Sequence, residues 1–241
     1  MAKQKIYKTP EDAVADIPDG ATIMIGGFGH AIDKPQNLIQ ALVESGAKDL
    51  TVISNAAGVA GKLGIGSLGG KPFIDEEVLV ENGQVRKAIC SVPASLVMSK
   101  PNAFERLYNE GKIELEYVPQ GTLAERIRAG GAGLGGFYTP TGVGTLIAEG
   151  KEIRTIGGKE MLLELALKAD YALVRAFKAD ITGNLVFKGI MRAFNAIMPP
   201  AAHTAVVEVE EIVDAGSLDP EMVVTQGIFI DRIVSVPRRE D

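Results

Sequence analysis

The fold of this chain is settled early, by a short apolar strand that runs straight into glycine. Thr22, Ile23, Met24 and Ile25 read as a strand and pass without a break into Gly26, Gly27, Phe28 and Gly29. Beyond the glycines, Leu38, Ile39, Leu42 and Val43 recur at helical spacing. Asp33 or Lys34 stands at the start of that helix, Pro35 in its first turn, and Gly46 is a natural stop. Residues 50–54 are again strand-like. Strand, glycine turn, helix and strand make a βαβ unit. Such units build parallel sheets with helices on their faces.

The remaining elements extend this pattern. Thr9, Pro10 and Asp12 have the spacing of a capped helix start, with a capping box. Strands are predicted over residues 85–92, 113–118, 169–176, 205–209, 223–225 and 228–234. Helices are predicted over 102–109 and 122–129, the second capped by Thr122 with Glu125 three residues on. Residues 130–136, GGAGLGG, are predicted to be irregular, because glycine is costly inside regular structure. Residues 152–156 and 159–164 flank Gly157-Gly158 as a hairpin would. The expected fold is α/β: an open, mostly parallel sheet flanked by helices, with an antiparallel hairpin portion in the second half. No repeat or linker interrupts the chain, so residues 1–241 are expected to form a single domain, with a mobile tail from residue 237.

Composition narrows the function. Apolar residues make up 46% and charged residues 23%, which excludes a wholly disordered or collagen-like chain. The net charge is −6 and no basic run occurs, so nucleic acid is not an expected partner. Cys90 is the single cysteine, which rules out a disulfide within the chain and a cysteine-based zinc site. His30 and His203 lie far apart, without metal-ligand spacing. No apolar run reaches the length of a membrane span, and the N-terminus lacks an apolar signal core. The chain reads as cytoplasmic.

Several residues are candidates for chemistry. Backbone N–H groups of Gly26, Gly27 and Gly29 can cradle a phosphate or an oxyanion. A plain crossover turn is equally compatible, and the dinucleotide fingerprint fails because Ile32 stands where its last glycine belongs. Gly69-Gly70-Lys71 lacks the spacing of a phosphate loop. Asn55 and Gln120 each follow a predicted strand, where open α/β sheets bind ligands. For both, a turn-satisfying role stays open. Arg126 and Arg128 flank the glycine-rich stretch and can either hold an anion or sit solvated at the surface. Tyr138, Thr139 and Thr141 offer hydroxyls nearby. Ser54 and Ser91 lack a nucleophile elbow. Cys90 reads as packing. His30 is the titratable side chain beside the turn. No acid stands out as a nucleophile.

Four segments carry a family resemblance: residues 19–29 (DGATIMIGGFG), 50–58 (LTVISNAAG), 118–136 (VPQGTLAERIRAGGAGLGG) and 137–144 (FYTPTGVG). Residues 163–170 and 180–185 add to it. The chain resembles the alpha subunit of the 3-oxoacid CoA-transferases over nearly its whole length. That resemblance implies transfer of CoA from an acyl-CoA to a free carboxylate through a glutamyl-CoA thioester. It places the nucleophilic glutamate on a partner beta subunit. Glu81-Asn82-Gly83 imitates the family's S-E-N-G stretch, but Val80 replaces the serine and Glu81 reads as surface. By the resemblance, Asn55 and Gln120 direct amides toward the reacting groups, with Gly26, Gly27 and Gly29 lining the same cavity. CoA is expected as substrate, with no permanently bound cofactor and no metal. A heterotetramer of two alpha and two beta subunits, or a multiple, is expected.

The chain departs from the family pattern G-G-F-x-x-x-G-x-P-x-N-L-I after Gly29. Ile32 replaces the glycine and Pro35 arrives one residue late. His30, Asp33 and Lys34 stand where small residues are usual, which marks residues 30–35 as a candidate specificity loop. Val92-Pro93-Ala94-Ser95 also departs. The other readings are part of an acyl-CoA hydrolase, and a non-catalytic scaffold that binds CoA or small anions.

Overall fold

The computed structural model describes residues 5–29, 32–58, 73–95 and 101–236. His30, Gly69-Gly70-Lys71 and the tail from residue 237 lie outside the described residues. The strands are β1 (Ile6–Tyr7), β2 (Thr22–Ile25), β3 (Leu50–Ile53), β4 (Val85–Cys90), β5 (Glu114–Tyr117), β6 (Gly136–Thr139), β7 (Ile153–Ile156), β8 (Lys159–Leu165), β9 (Ala169–Asp180), β10 (Leu185–Val186), β11 (Ala202–Val213) and β12 (Arg232–Ser235). The α-helices are α1 (Pro10–Val14), α2 (Gln36–Ser45), α3 (Glu77–Glu81), α4 (Ala103–Asn109) and α5 (Gln120–Gly131).

One large sheet has the order β1-β12-β11-β9-β2-β3-β4-β5, all parallel, with β10 antiparallel on β9. A second, three-stranded antiparallel sheet has the order β6-β8-β7, and its β7–β8 hairpin turns at Gly157-Gly158. The expected architecture is therefore the observed one. From β2 the chain winds outward through β3, β4 and β5. It then returns to the other flank of β2 as β9. The direction of winding thus reverses between β2 and β9, and such a reversal opens a crevice at the carboxyl ends of the strands.

Apolar residues bury both faces of this sheet, as parallel sheets require. On one face Ile23, Ile25, Leu50 and Val52 pack with Leu38, Ile39 and Leu42 of α2. On the other, Met24, Ile53 and Ile89 pack with Leu123 and Ile127 of α5. Thr9 caps α1 by accepting from the Asp12 N–H at 3.1 Å. Asn102 and Glu105 form a full capping box on α4. Pro35 offers α2 no capping side chain, so a distant carboxylate serves. Glu208 on β11 accepts from the Asn37 and Leu38 N–H groups at 2.9 and 3.1 Å, and is held by Arg175 at 2.7 Å.

Five local expectations are corrected. Helix α2 begins at Gln36, so Asp33 and Lys34 precede it and Pro35 stands at its cap rather than in its first turn. Helix α5 begins at Gln120 and runs through Gly131, so Thr122 lies inside it and Pro119 stands at the cap. The glycines are there for packing: a Cβ on Gly130 would strike the Leu167 carbonyl, and one on Gly131 would come within 2.8 Å of the Pro200 side chain. Gly136 likewise belongs to β6, where a Cβ would crowd the Glu164 carbonyl. Residues 223–225 form no strand, only a single bridge between Leu185 and Thr225. The stretch 228–234 is divided, with a 3-10 turn at Gly227–Phe229 ahead of the short β12. The Gly227 N–H donates to Asn184 Oδ1 at 2.8 Å, which takes this segment out of the sheet.

Candidate functional site

The carboxyl ends of β2, β3 and β5 deliver three candidate segments to one place. The turn Gly26-Gly27-Phe28-Gly29 follows β2, Asn55 lies two residues past β3, and Gln120 opens α5 after β5. Asn55 is buried and donates from Nδ2 to the Phe28 carbonyl at 2.8 Å. That bond orients its amide, because a carbonyl can only accept. Asn55 Oδ1 then faces Gln120 and accepts from Nε2 at 2.6 Å. Gln120 is exposed at the start of α5, beside the buried Asn55. Asn55 is thus the buried member of the amide pair and Gln120 the exposed one.

The turn itself is clamped from below. Asn195, fully buried, donates to the carbonyls of Asp33 and Met191 at 2.8 Å each and accepts from the Arg175 N–H at 2.9 Å. A Cβ on Gly26 would collide with Asn195 Oδ1. Gly27 has φ +90°, and a Cβ there would come within 2.8 Å of the Asp33 carbonyl. Phe194 stacks on the ring of Phe28 with centroids 6.5 Å apart. Nothing in the pattern around Asn195 marks it beforehand, since one polar residue in an apolar stretch has no periodic signature.

Not every turn amide faces outward. The Gly26 N–H donates to Leu173 across the sheet at 2.9 Å. The Phe28 N–H donates to Asp33 Oδ2 at 2.6 Å. Asp33 and Lys34 are both fully buried, so the charges of the departing loop lie inside the protein rather than along the crevice. Lys34 pairs with Glu76, which precedes α3 and is itself buried. Burial pushes the Glu76 carboxyl up to about 7, against the pull of Lys34.

Other candidates are placed elsewhere. Arg126 is buried, donating to the Leu165 carbonyl at 2.7 Å and to Glu116 at 2.9 Å. Lys87 shares Glu116 at 2.7 Å. Burial alone would raise the Glu116 carboxyl, but the two cations together outweigh it and hold the group below the usual range. Arg128 is exposed and binds Glu125 at 2.9 Å. Neither arginine faces the amide pair with an unengaged guanidinium. The Tyr138 hydroxyl donates to Glu152 at 2.5 Å on the three-stranded sheet. Cys90 is buried, and burial together with Glu76 pushes its thiol up to about 12, so it remains a thiol. Glu81 is exposed at the end of α3. His203 is exposed beside Thr204. Among the described residues no group of three His, Cys, Asp or Glu side chains is placed to hold a metal ion, and no helix is long and apolar enough to cross a membrane.

Comparison with known proteins places the chain in a family. Residues 7–236 match the family model described as Coenzyme A transferase. The chain is 48% identical to the A subunit of 3-oxoadipate CoA-transferase from Pseudomonas putida, over 96% of this chain and 94% of that protein. It is 45% identical to the A subunit of a probable succinyl-CoA:3-ketoacid coenzyme A transferase from Bacillus subtilis, over 95% of this chain and 89% of that one. The mitochondrial succinyl-CoA:3-ketoacid coenzyme A transferase 2A of Rattus norvegicus is 43% identical, and there the match covers 99% of this chain but 46% of the relative. An acyl-CoA transferase from E. coli O157:H7 shares the fold, with a TM-score of 0.81 at 23% identity, over 99% of this chain and 48% of that one. The chain therefore belongs to the coenzyme A transferase family, among its alpha-type members.

Proposed function

We infer that this chain is the alpha subunit of a CoA-transferase that moves CoA between an acyl-CoA and a short-chain carboxylic or 3-oxo acid. The observation that carries this reading is the Asn55–Gln120 amide pair, held beyond the carboxyl ends of β3 and β5 in a chain that aligns along almost its whole length with its bacterial relatives. The nucleophile is a glutamate of the beta subunit. Its carboxylate attacks the thioester carbonyl and expels the CoA thiolate, leaving an acyl-glutamyl anhydride. The thiolate then attacks the glutamyl carbonyl and releases the donor acid, leaving a glutamyl-CoA thioester. The acceptor carboxylate attacks that thioester and expels the thiolate. The thiolate takes the new acyl group from the anhydride and frees the glutamate.

Each attack builds negative charge on a carbonyl oxygen, and a positioned donor lowers the barrier there. Gln120 supplies such a donor without adding charge, so it serves an oxyanion without trapping the carboxylates. It sits in the first turn of α5, where N–H groups and the helix dipole also favour negative charge. Gly27 and Gly29 complete the wall of the cleft. CoA is a substrate, not a resident cofactor. We place the enzyme in the cytoplasm, with each alpha chain folding as one domain and joining beta chains in a heterotetramer or a multiple of it.

The test is coexpression with the beta chain, then assay of CoA transfer from acetyl-CoA and succinyl-CoA to a panel of short carboxylates. Transfer by the complex, and by neither chain alone, is expected. Thioester loss without any acceptor acid would favour hydrolysis, and binding of CoA without turnover would favour a scaffold.

A further inference from the structure

Lys34 is an unusual residue to find with none of its surface exposed. It occupies the loop in which this chain departs from its family's pattern, beside the turn that lines the cleft. Its Nζ is paired with Glu76 Oε1, and Glu76 Oε2 is buried without a hydrogen-bond partner among the described residues. Burying such a pair gains little stability over apolar residues of the same size. What the pair does is tie two distant segments together, the stretch after the turn and the start of α3.

That tie continues into the site by direct contacts. The Lys34 side chain fills the space a Cβ on Gly27 would need, with Cδ 3.0 Å from that position. The neighbouring Asp33 carboxylate holds the Phe28 N–H at 2.6 Å, and the Asp33 carbonyl is held by Asn195 at 2.8 Å. The Phe28 carbonyl sets the Asn55 amide, which sets Gln120. We propose that the buried Lys34–Glu76 pair, acting through Asp33 and Phe28, fixes the orientation of the Asn55 and Gln120 amides, so that Lys34 and Glu76 are positioning residues for CoA transfer. The proposal rests on the reading of Gln120 as an oxyanion donor. It also reassigns the loop: Asp33 and Lys34 act from inside on the geometry of the cleft, and not on the acceptor acid by contact.

The experiment uses the complex with the beta chain and the double variant Lys34→Met/Glu76→Gln. This variant keeps both shapes and removes both charges. Positioning predicts a fall in kcat of about tenfold, with KM for acyl-CoA and acid within about twofold, because misplacement by a fraction of an ångström acts on the transition state. The thermal midpoint stays close to that of the parent, as it does when a buried pair is removed whole. A parental kcat in the double variant overturns the proposal. Should the double variant fail to assemble, Asp33→Ala removes the carboxylate that receives the Phe28 N–H and carries the same expectation and the same failing outcome. Gln120→Ala is measured alongside. If it is impaired while the double variant is not, the pair has no positioning role and the reading of Gln120 stands. If Gln120→Ala is itself unimpaired, that reading fails and the proposal fails with it.

Discussion

At Asn55 one hydrogen bond decides which way two amides face, and the exposed one carries the consequence. Replacing Gln120 with Ala should lower kcat by about 10²–10³, the usual cost of one oxyanion donor, with little change in stability because the side chain is exposed. Steady-state kinetics and a melting curve on the same sample separate the two effects. Lys34 should behave in the opposite way. Above about pH 7, where Glu76 of the parent is ionised, Lys34→Met alone should cost about 3–5 kcal/mol, whereas the double variant with Glu76→Gln should recover most of that. Denaturant titration of the three proteins checks it. Glu76 also gives stability a pH dependence. Its carboxyl is raised from 4.5 to about 7 in the folded chain, so the fold binds a proton more tightly than the unfolded chain does. The stabilisation is complete below about 4.5 and is lost as pH rises through about 7. The parent's stability minus that of the double variant should therefore decline across this window. A flat difference would show that Glu76 is not raised.

Among the elements, those written by periodicity and caps were readable in advance and those written by distant contacts were not. Thr9 and Gly46 mark helix ends as expected, through a local hydrogen bond and a left-handed turn, whereas α2 starts later than its pattern predicts and Asn102 adds a capping box to α4. Asn102→Ala should accordingly cost about 1 kcal/mol, measurable as a shift in denaturation midpoint. Helix α5 escaped the same logic. Its glycines look like breakers, yet they let the helix lie against Leu167 and Pro200. Gly130→Ala, stabilising in an isolated helix by its propensity, should here destabilise the chain by more than about 1 kcal/mol through overpacking. At the candidate site, the placement of Asn55 and Gln120 past strand ends was readable because strand ends are positions in a pattern. The burial of Asp33 and Lys34 was not, because two adjacent charges in a loop ordinarily imply solvent. Glu76, remote in sequence, pairs with the Lys34 ammonium, and the Phe28 N–H satisfies the Asp33 carboxylate, which makes their burial tolerable.

For the whole molecule, the winding reversal has a consequence in time. Strand β2 lies between β3, made shortly after it, and β9, whose Tyr171 meets Ile23. A chain emerging from the ribosome can therefore zip β2 to β5 well before β9 exists. Throughout that interval the β2 edge presents unpaired N–H and C=O groups, and Ile25 and its neighbours lack one wall of their core. The Gly26 N–H waits for Leu173, and the turn waits for Asn195 to brace it. By this topology the half-sheet is expected to be the aggregation-prone species, and the cleft to form late. Slowing synthesis between residues 54 and 169 should lengthen its exposure and lower soluble yield without altering the finished protein.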